Sequence, residues 1–347
     1  MIAVRTVSFI LALIAMLPAS VVGAQSYPND IALGQALFQD KSLSADRTVA
    51  CASCHESSHG FSDPRSVPKG VYGRTGTRNA PSLLDLGVYQ SFFWDGRAPS
   101  LAEQARVPFF SSVELGFTTD AQVLSRVCAN SLYMEAFRRL DGATIKTLTL
   151  DEVVRAIQTY ERSVGEGASP FDRYLAGDKA ALSAQARHGL TLFEGKAECA
   201  SCHMVKDGEP LTDNRFHTSA VGVIITPTLA KLAVSVARLS QTERYRQIES
   251  KPQISALGRY LVTLDPQDIG KFRTPSLRNV ALTAPYMHDG SVATLAQAVN
   301  IEIYYRGFKS HTLIVSLEER RDILAFLESL SISSAAPQKL DEAGSAP

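Results

Sequence analysis

The sequence predicts an all-α protein built from two related domains. The pattern C-x-x-C-H occurs at residues 51–55 and again at 199–203, 148 residues further on, and three short segments recur at a single offset of 194. Capping boxes (Thr149 with Glu152, Ser316 with Glu319) precede apolar residues with helical spacing. With 347 residues, 45% of them apolar, the chain is long enough for two cores.

The first 24 residues and the charge balance indicate where the protein works. Residues 1–24 contain Arg5, an apolar run from Val7 to Leu17 and a small-residue end at Val22-Gly-Ala24, which is typical of a cleaved secretory signal. An uncleaved membrane helix is the alternative, but the run is short for a bilayer core of about 30 Å. The 35 basic and 35 acidic side chains balance, which removes the charge argument for nucleic acid or anionic lipid as partner. We expect a soluble periplasmic protein without a membrane span after signal removal.

The two C-x-x-C-H motifs predict two covalently attached c-type haems. Thiols at this spacing can form thioether bonds to the two vinyl groups of one haem, and the adjacent histidine then reaches the iron. One shared zinc site is the alternative, but it gives no reason for a histidine in the same place twice. The fifth cysteine, Cys128, is interpreted as a small buried apolar residue, with a reactive thiol as the alternative. The predicted attachment residues are Cys51, Cys54 and His55 for one haem and Cys199, Cys202 and His203 for the other.

The segments around the motifs follow the same order twice. Gly34-Gln-Ala-Leu-Phe38 precedes the first motif and Gly189-Leu-Thr-Leu-Phe193 the second. We expect domains at residues 25–170 and 171–330, followed by a disordered tail over 331–347 that lacks periodicity. Downstream of the motifs, Pro81-Ser-Leu, Trp94-Asp-Gly96 and Leu101-Ala102 recur as Pro275-Ser-Leu, His288-Asp-Gly290 and Leu295-Ala296.

These residues resemble a known family. The two haem motifs, Phe93-Trp-Asp-Gly-Arg97, Gln104, Glu114 and Thr283-Ala-Pro-Tyr-Met-His-Asp-Gly290 are similar to those of the bacterial dihaem cytochrome c peroxidase and MauG superfamily. The resemblance implies two cytochrome c-like haem domains, in which the N-terminal haem meets hydrogen peroxide and the C-terminal haem stores or relays electrons. His55 and His203 would be the proximal ligands of the two irons.

The resemblance also implies catalytic residues. Glu114 corresponds to the distal carboxylate that moves a proton during O–O cleavage. Its apolar sequence context favours a pocket over a solvated surface position. Gln104 corresponds to its neighbour in the distal pocket, although a lone glutamine is more often a helix-surface residue. Trp94 corresponds to a residue that couples the two haems, whereas without the motif it would be interpreted as core packing.

A calcium site between the haems is implied in the same way. Asn79, Thr283 and Pro285 correspond to its ligands, which bind a hard cation through oxygen atoms. His288 corresponds to a histidine beside the second haem, and a hydrogen-bonded core histidine is the alternative. None of these roles follows from the spacing alone.

The first haem is expected to have an open coordination position. Typical peroxidases of the superfamily carry a second histidine that caps the first iron until it is reduced. Between His55 and Trp94 this chain has only His59, four residues after the proximal ligand. We therefore expect a first haem that reacts with peroxide without prior reduction.

The second haem is expected to have a tyrosine ligand. Typical peroxidases use a methionine beyond the second-half histidine, but no methionine follows His288. MauG-type proteins use tyrosine, and Tyr304, within Tyr304-Tyr-Arg-Gly307, is the predicted ligand. The strict offset from His288 falls on Glu302, which implies two inserted residues and leaves Tyr305 open as well. A phenolate would favour the higher oxidation states of iron.

Taken together, the resemblance implies a periplasmic peroxidase of MauG type. Such an enzyme uses hydrogen peroxide to form a high-valent dihaem state that oxidises a residue, here a tryptophan, of a partner protein. Lys196-Ala-Glu198 lacks the tryptophan that precedes the second motif in MauG, so a different substrate is expected. MbnH, which acts on a copper-binding partner, is the nearer guide. The alternatives are an ordinary cytochrome c peroxidase fed by a small c-type cytochrome, and a non-catalytic electron carrier.

Overall fold

The computed structural model describes residues 27–165, 167–206, 210–218, 221, 227–309 and 313–332. The expected signal at 1–24 and all but the first two residues of the expected tail lie outside this part of the chain. The described residues are mostly helical, as predicted, and none of their helices is long and apolar enough to cross a bilayer. In chain order, the helices are α1 (Asp30–Gln39), α2 (Leu101–Phe110), α3 (Asp120–Cys128), α4 (Ser131–Asp141), α5 (Leu150–Ser163), α6 (Pro170–Leu175), α7 (Ala184–Glu194), α8 (Pro227–Ala237), α9 (Gln241–Ile248), α10 (Pro252–Ser255), α11 (Tyr260–Thr263), α12 (Leu295–Lys309) and α13 (Leu317–Glu328).

Local sequence signals start the long helices. The capping boxes of Thr149 with Glu152 and of Ser316 with Glu319 are formed at α5 and α13, as predicted. Each satisfies backbone N–H groups that the first turn of a helix leaves unpaired. The predicted apolar residues are mostly buried, with Val153, Val154, Ile157 and Tyr160 on α5 and Ile323, Phe326, Leu327 and Leu330 on or just after α13. Leu324, predicted on the same face of α13, is half-buried.

Two glycine-mediated helix pairs position the two motifs. Helix α1 packs against α5, and α7 packs against α13. A Cβ atom at Gly34 would lie 2.0 Å from the carbonyl oxygen of Ala156, and one at Gly189 would lie 1.8 Å from that of Asp322. Only glycine permits such close backbone approach. Each C-x-x-C-H motif follows the glycine-bearing helix of its pair, so the same packing precedes both.

Buried apolar side chains of the described residues form three clusters. The first lies between residues 33 and 160 and has the half-buried Cys128 packed against it, and the second lies between residues 171 and 330. The third lies within residues 229–261, which include most of α8 and all of α9 and α10. We call residues 27–170 the first half and residues 171–332 the second half.

Part of the second half covers the first. The Arg78 guanidinium donates to the Ser255 carbonyl oxygen at 2.8 Å, and that of Arg259 donates to the Asp95 carbonyl oxygen at 3.0 Å. Sequence patterns do not report such long-range contacts, and the predicted two-domain division did not include them.

A small sheet and matching turns complete the architecture. Strand β1 (Phe216–Thr218) pairs antiparallel with β2 (Lys271–Arg273), with Phe216 opposite Arg273. Strands of three residues are too short to leave an alternating pattern in the sequence. Segments at the offset of 194 share local structure, since single β-bridges join residues 92 and 98 and residues 286 and 292.

Candidate functional site

Both C-x-x-C-H motifs adopt the same local structure. The first three residues of each form a single 3-10 turn, and the backbone N–H of the histidine donates to the carbonyl of the first cysteine at 3.0 Å in both. The Nδ1 of His55 lies 2.9 Å from the Phe61 carbonyl oxygen, and that of His203 lies 3.2 Å from the Leu211 carbonyl oxygen. Because a carbonyl oxygen only accepts, Nδ1 carries the proton and Nε2 keeps a lone pair for a metal.

Burial keeps the imidazole rings of His55 and His203 neutral and most of the motif cysteine thiols protonated. It lowers the pKa of His55 and lowers that of His203 to about 4. It raises the pKa of the Cys54 thiol to about 12 and that of the Cys199 thiol to about 11. These thiols are therefore neutral at pH 7 in the unligated chain. Neutral imidazoles beside thiols suit a thioether-linked haem.

The four motif cysteines do not meet in one metal cluster. Among the described residues, the group that could hold an ion consists of Cys202, Asp213 and His217, with ligand atoms within 4.8 Å of one another. A hydrogen bond to His217 lowers the pKa of Cys202. This group contains only one cysteine, so the shared four-cysteine site considered from the sequence is not formed by the described residues.

A large cavity lies beside the first motif. Its atom-free space, with the open mouth and the solvent in it included, is about 1400 Å³. Among the described residues, His55 is the only histidine on its wall, while His59 is 40% exposed beside Glu56. The polar residues of the wall include Arg97, Gln104, Glu114, Glu161, Glu249 and Arg273.

Glu114 borders the first cavity, and the pKa of its carboxyl is raised. Burial raises its pKa to about 7, the negative charge of Glu249 adds to this effect, and Arg97 opposes it. A carboxyl group that titrates near neutral pH can both take up and return a proton. Gln104, on α2, borders the same cavity.

Trp94 lies between the two motifs and borders both cavities. Its Nε1 donates to the Asn79 carbonyl oxygen at 2.8 Å, and the Asn79 N–H donates to the His288 carbonyl oxygen at 2.9 Å. The equivalent residues Trp94 and His288 are therefore joined through one intervening residue. Trp94 thus lies where the two cavities approach each other.

A second cavity lies beside the second motif, with about 1200 Å³ of atom-free space including its mouth. His288 borders it, is 7% exposed, and stacks on Phe272 with ring centres 3.7 Å apart. Burial lowers the pKa of His288 to about 4, so the ring is neutral at pH 7. Its Nδ1 has no hydrogen-bond partner within the described part of the chain.

The predicted tyrosine ligand does not border this second cavity. Tyr304 is 78% exposed, and neither Tyr304 nor Tyr305 is on the wall, which instead includes Glu302 from the same helix. Residues two apart on a helix point about 200° apart. The α12 residue on the wall is thus the one that the strict offset from His288 gives, and Tyr304 stays the predicted iron ligand.

The residues that the resemblance assigns to calcium, Asn79, Thr283 and Pro285, are connected through the backbone. Asn79 Nδ2 donates to the carbonyl oxygens of Arg65 and Ser66 at 3.1 and 3.3 Å. The hydrogen bond from its N–H to His288 ties it to the segment that contains Thr283 and Pro285. Carbonyl and amide oxygens are the donors that calcium prefers.

Arg273, which sequence reasoning missed, supports the fit of haem. It is 5% exposed, borders both cavities and stacks on Tyr89 at 3.6 Å, and no carboxylate among the described residues pairs with it. Buried charges are normally paired, and the propionate groups of a haem would supply the missing anion. Arg273 stands 194 residues after Asn79, so the repeat could have identified it.

Glu161 and Glu249 were also missed. Burial raises the pKa of Glu161 to about 8, and its Oε2 lacks a hydrogen-bond partner among the described residues. Glu161 sits at the edge of a predicted apolar helix face, where the pattern suggested no function. Glu249 comes from the second half and reaches the first cavity only through the tertiary fold, so the sequence carries no signal for it.

Known proteins share this architecture. Residues 28–180 match the family model for di-haem cytochrome c peroxidase. The cytochrome-c peroxidase IdrP1 of Pseudomonas sp. (strain SCT) is 35% identical over 322 residues, which are 87% of this chain and 81% of that protein. The methylamine utilization protein MauG of Methylorubrum extorquens is 34% identical over 317 residues, 89% of this chain and 80% of that protein. The crystal structure of a MauG-like protein associated with microbial copper homeostasis is 30% identical, covers 93% of this chain and 97% of its own, and has a TM-score of 0.72.

A helical fold with two histidine-bordered cavities and these relatives defines a haem oxidoreductase. The chain belongs to the dihaem cytochrome c peroxidase and MauG superfamily, in its MauG-like branch. Haem cofactors and hydrogen peroxide are the cofactor and oxidant that this family implies.

Proposed function

We propose that this chain is a periplasmic dihaem peroxidase of MauG type. It consists of two cytochrome c-like domains at residues 25–170 and 171–330, which arose by duplication and each carry a covalent haem. Hydrogen peroxide is the oxidant, and a residue of a partner protein, a tryptophan in the first place, is the reductant. The observation that carries the proposal is a first cavity with one histidine, His55, and the acid–base carboxyl of Glu114, joined through Trp94 to a second cavity.

Cys51, Cys54 and His55 would hold the first haem, whose iron would supply the centre for peroxide reduction. Glu114, as carboxylate, takes a proton from one peroxide oxygen and returns it to the oxygen that leaves as water. Gln104 holds the oxidant beside it through its amide group. Two protons and two electrons convert each peroxide into two waters, and the electrons come from the partner protein.

Trp94 carries electrons between the two cofactors. Its indole N–H is held by Asn79, which fixes the ring against both cavities. A calcium ion bound by Asn79, Thr283 and Pro285 would stiffen this connection, because it would cross-link the backbone on either side of it. His288 remains neutral next to the second cofactor, which His203 holds.

The kind of partner protein is inferred from similarity to a solved structure. A solved relative is a MauG-like protein associated with microbial copper homeostasis, which supports a copper-binding periplasmic protein as substrate. The second candidate function is an ordinary cytochrome c peroxidase that takes electrons from a small c-type cytochrome. The similarity to the peroxidase IdrP1 favours this candidate.

The test is the reaction of the fully oxidised holoprotein with one equivalent of hydrogen peroxide, without any reductant, followed by optical spectroscopy. A long-lived product that holds two oxidising equivalents supports the MauG-type function. Rapid steady-state turnover with a reduced c-type cytochrome, without such a product, supports the second candidate. A protein that ignores peroxide in every state would be an electron carrier, and both proposals would fail.

A further inference from the structure

A cleft lies between helices α2 and α9. Each helix contributes residues at intervals of three and four to the wall of this cleft, so one face of each helix is turned toward it. The two helices belong to different halves of the chain, and the cleft therefore lies on the boundary between the halves. The wall residues include Arg106, Val107 and Phe110 on α2 and Thr242, Tyr245 and Arg246 on α9.

The inner end of the cleft adjoins the first cavity. Phe93, Arg97 and Glu249 border both the cleft and the first cavity, so these three side chains stand where the two spaces meet. Thr242 and Arg246, which also border the cleft, are exposed. The cleft therefore extends from solvent to the wall of the first cavity.

The cleft and the first cavity meet on the side of Glu114. The Glu249 carboxylate accepts a hydrogen bond from the Ser112 N–H at 3.2 Å, two residues before Glu114 in the chain. The charges of Glu249 and Arg97 both act on the pKa of Glu114, in opposite directions. Helix α2 forms the partition on this side, and its Gln104 faces the first cavity. A molecule that came through the cleft would therefore arrive beside Glu114 and Gln104.

The two charged side chains at the inner end of the cleft are held by other partners. The Arg97 guanidinium lies 3.1 Å from an Asp95 carboxylate oxygen and stacks on the Phe93 ring at 3.6 Å. The Glu249 carboxylate also accepts from the Ser112 hydroxyl at 3.1 Å. In the part of the chain that the structure describes, Arg97 and Glu249 form no ion pair with each other, so no salt bridge closes the inner end of the cleft.

We infer that the cleft between α2 and α9 is the entrance through which a small hydroperoxide reaches Glu114. The inference rests on the proposed attachment of haem at Cys51 and Cys54, because a haem there would occupy the first cavity and leave the cleft as a route to the carboxyl. It also names the class of oxidant. Hydrogen peroxide is small enough to pass between Arg97 and Glu249, whereas a branched organic hydroperoxide is slowed there.

The test compares T242W and V107A with the control T191W, all as holoproteins. Thr242 and Thr191 are exposed threonines on helices, but Thr191, on α7, borders neither the cleft nor the first cavity. Stopped-flow absorbance gives the second-order rate constants for hydrogen peroxide, tert-butyl hydroperoxide and cyanide, a ligand of ferric haem that undergoes no O–O cleavage. Protein mass gives the number of bound haems.

The expected effects are steric. We expect T242W to slow all three reagents by at least about fivefold, with the largest loss for tert-butyl hydroperoxide, because the indole narrows the route by which each reagent arrives. V107A should raise the rate of tert-butyl hydroperoxide relative to that of hydrogen peroxide. T191W should match the wild type, and the midpoint of the pH profile should be the same in T242W and the wild type.

The outcomes separate this inference from the proposed function. A wild type that carries two haems and binds cyanide but ignores hydrogen peroxide contradicts the proposed function, and its cyanide rates still test the entrance. Rates in T242W equal to those in T191W for all three reagents overturn the inference. Equal slowing of the three reagents together with a shifted pH midpoint also overturns it, because the cause is then the charge at Glu114. If T242W loses haem, V107A decides, and unchanged selectivity between the two peroxides overturns the inference.

Discussion

The reaction of the oxidised holoprotein with hydrogen peroxide should accelerate about thirtyfold between about pH 5.5 and about pH 8. The pKa of Glu114 is raised to about 7 by burial and by Glu249, and its ionised form is the one that accepts a proton from peroxide. The ionised fraction is then about 3% at the lower pH and about 90% at the higher pH. The rate should therefore rise with pH through a midpoint near the pKa of this carboxyl.

Two variants test whether Glu114 causes the pH dependence of the peroxide reaction. E114Q removes the titrating group, so the pH dependence should disappear and the rate should fall by about 10² to 10⁴. E249Q keeps Glu114 but removes the like charge that raises its pKa, so the midpoint should move to lower pH. E135Q is the matched control, because Glu135 is an exposed carboxylate on α4 that is absent from the cavity wall.

The assay is stopped-flow absorbance at several pH values with peroxide in excess. The reasoning would be refuted by a rate that stays constant from about pH 5.5 to about pH 8 in the wild type. A midpoint that E249Q leaves in place would show that the Glu249 charge does not reach Glu114.

Four further outcomes are expected. W94F should leave the peroxide rate unchanged but slow oxidation of the second haem, as seen by rapid freeze-quench spin resonance; equal rates of both steps would contradict the coupling role. Glu161 is a buried acid whose pKa is raised to about 8, so the wild type should lose stability as pH rises from about 4.5 toward 8, by up to about 3 kcal/mol at pH 7. E161Q should remove that loss in thermal melts. An equal loss of stability with pH in the wild type and in E161Q would count against the role of Glu161. G189A should destabilise by at least about 1–3 kcal/mol through a backbone clash, whereas G87A, which meets nothing within 4 Å, should be neutral in the same melts. N79A, or chelation of the wild type, should change the spectra of both haems if calcium binds at Asn79, and unchanged spectra would refute the site.

Local chemistry made much of this molecule predictable. The C-x-x-C-H motifs and the capping boxes are read from neighbouring residues, so Cys51, His55 and the start of α5 follow from the sequence directly. The repeat at 194 residues also predicted that Trp94 and His288 hold corresponding places, and both border a cavity. These features depend on short-range contacts or on comparison of the chain with itself.

Other parts depend on contacts that the sequence does not encode locally. Glu249 reaches the first cavity because α9 packs across the other half, at a separation of 137 residues from Ser112, with which it forms a hydrogen bond. The prediction of Tyr304 as the second iron ligand, with Tyr305 as the alternative, rested on the Tyr-x-Arg-Gly match and on two inserted residues. The side chains of α12 that border the second cavity depend on helical phase, and the structure places Glu302 on that wall and leaves Tyr304 exposed.

The cover that α9 and Arg259 place over the first half has a consequence for biogenesis. Synthesis proceeds from the N-terminus, so a nascent chain that has just completed α5 still lacks Ile248, Glu249 and Arg273, which complete the wall of the first cavity. The first cavity therefore stays open while roughly a hundred further residues are made. Under the proposed attachment of haem at Cys51 and Cys54, the thioether bonds would have this interval in which to form. A polypeptide that ends near residue 165 would keep Cys51, Cys54 and His55 but lose the part of the cavity wall that the second half supplies.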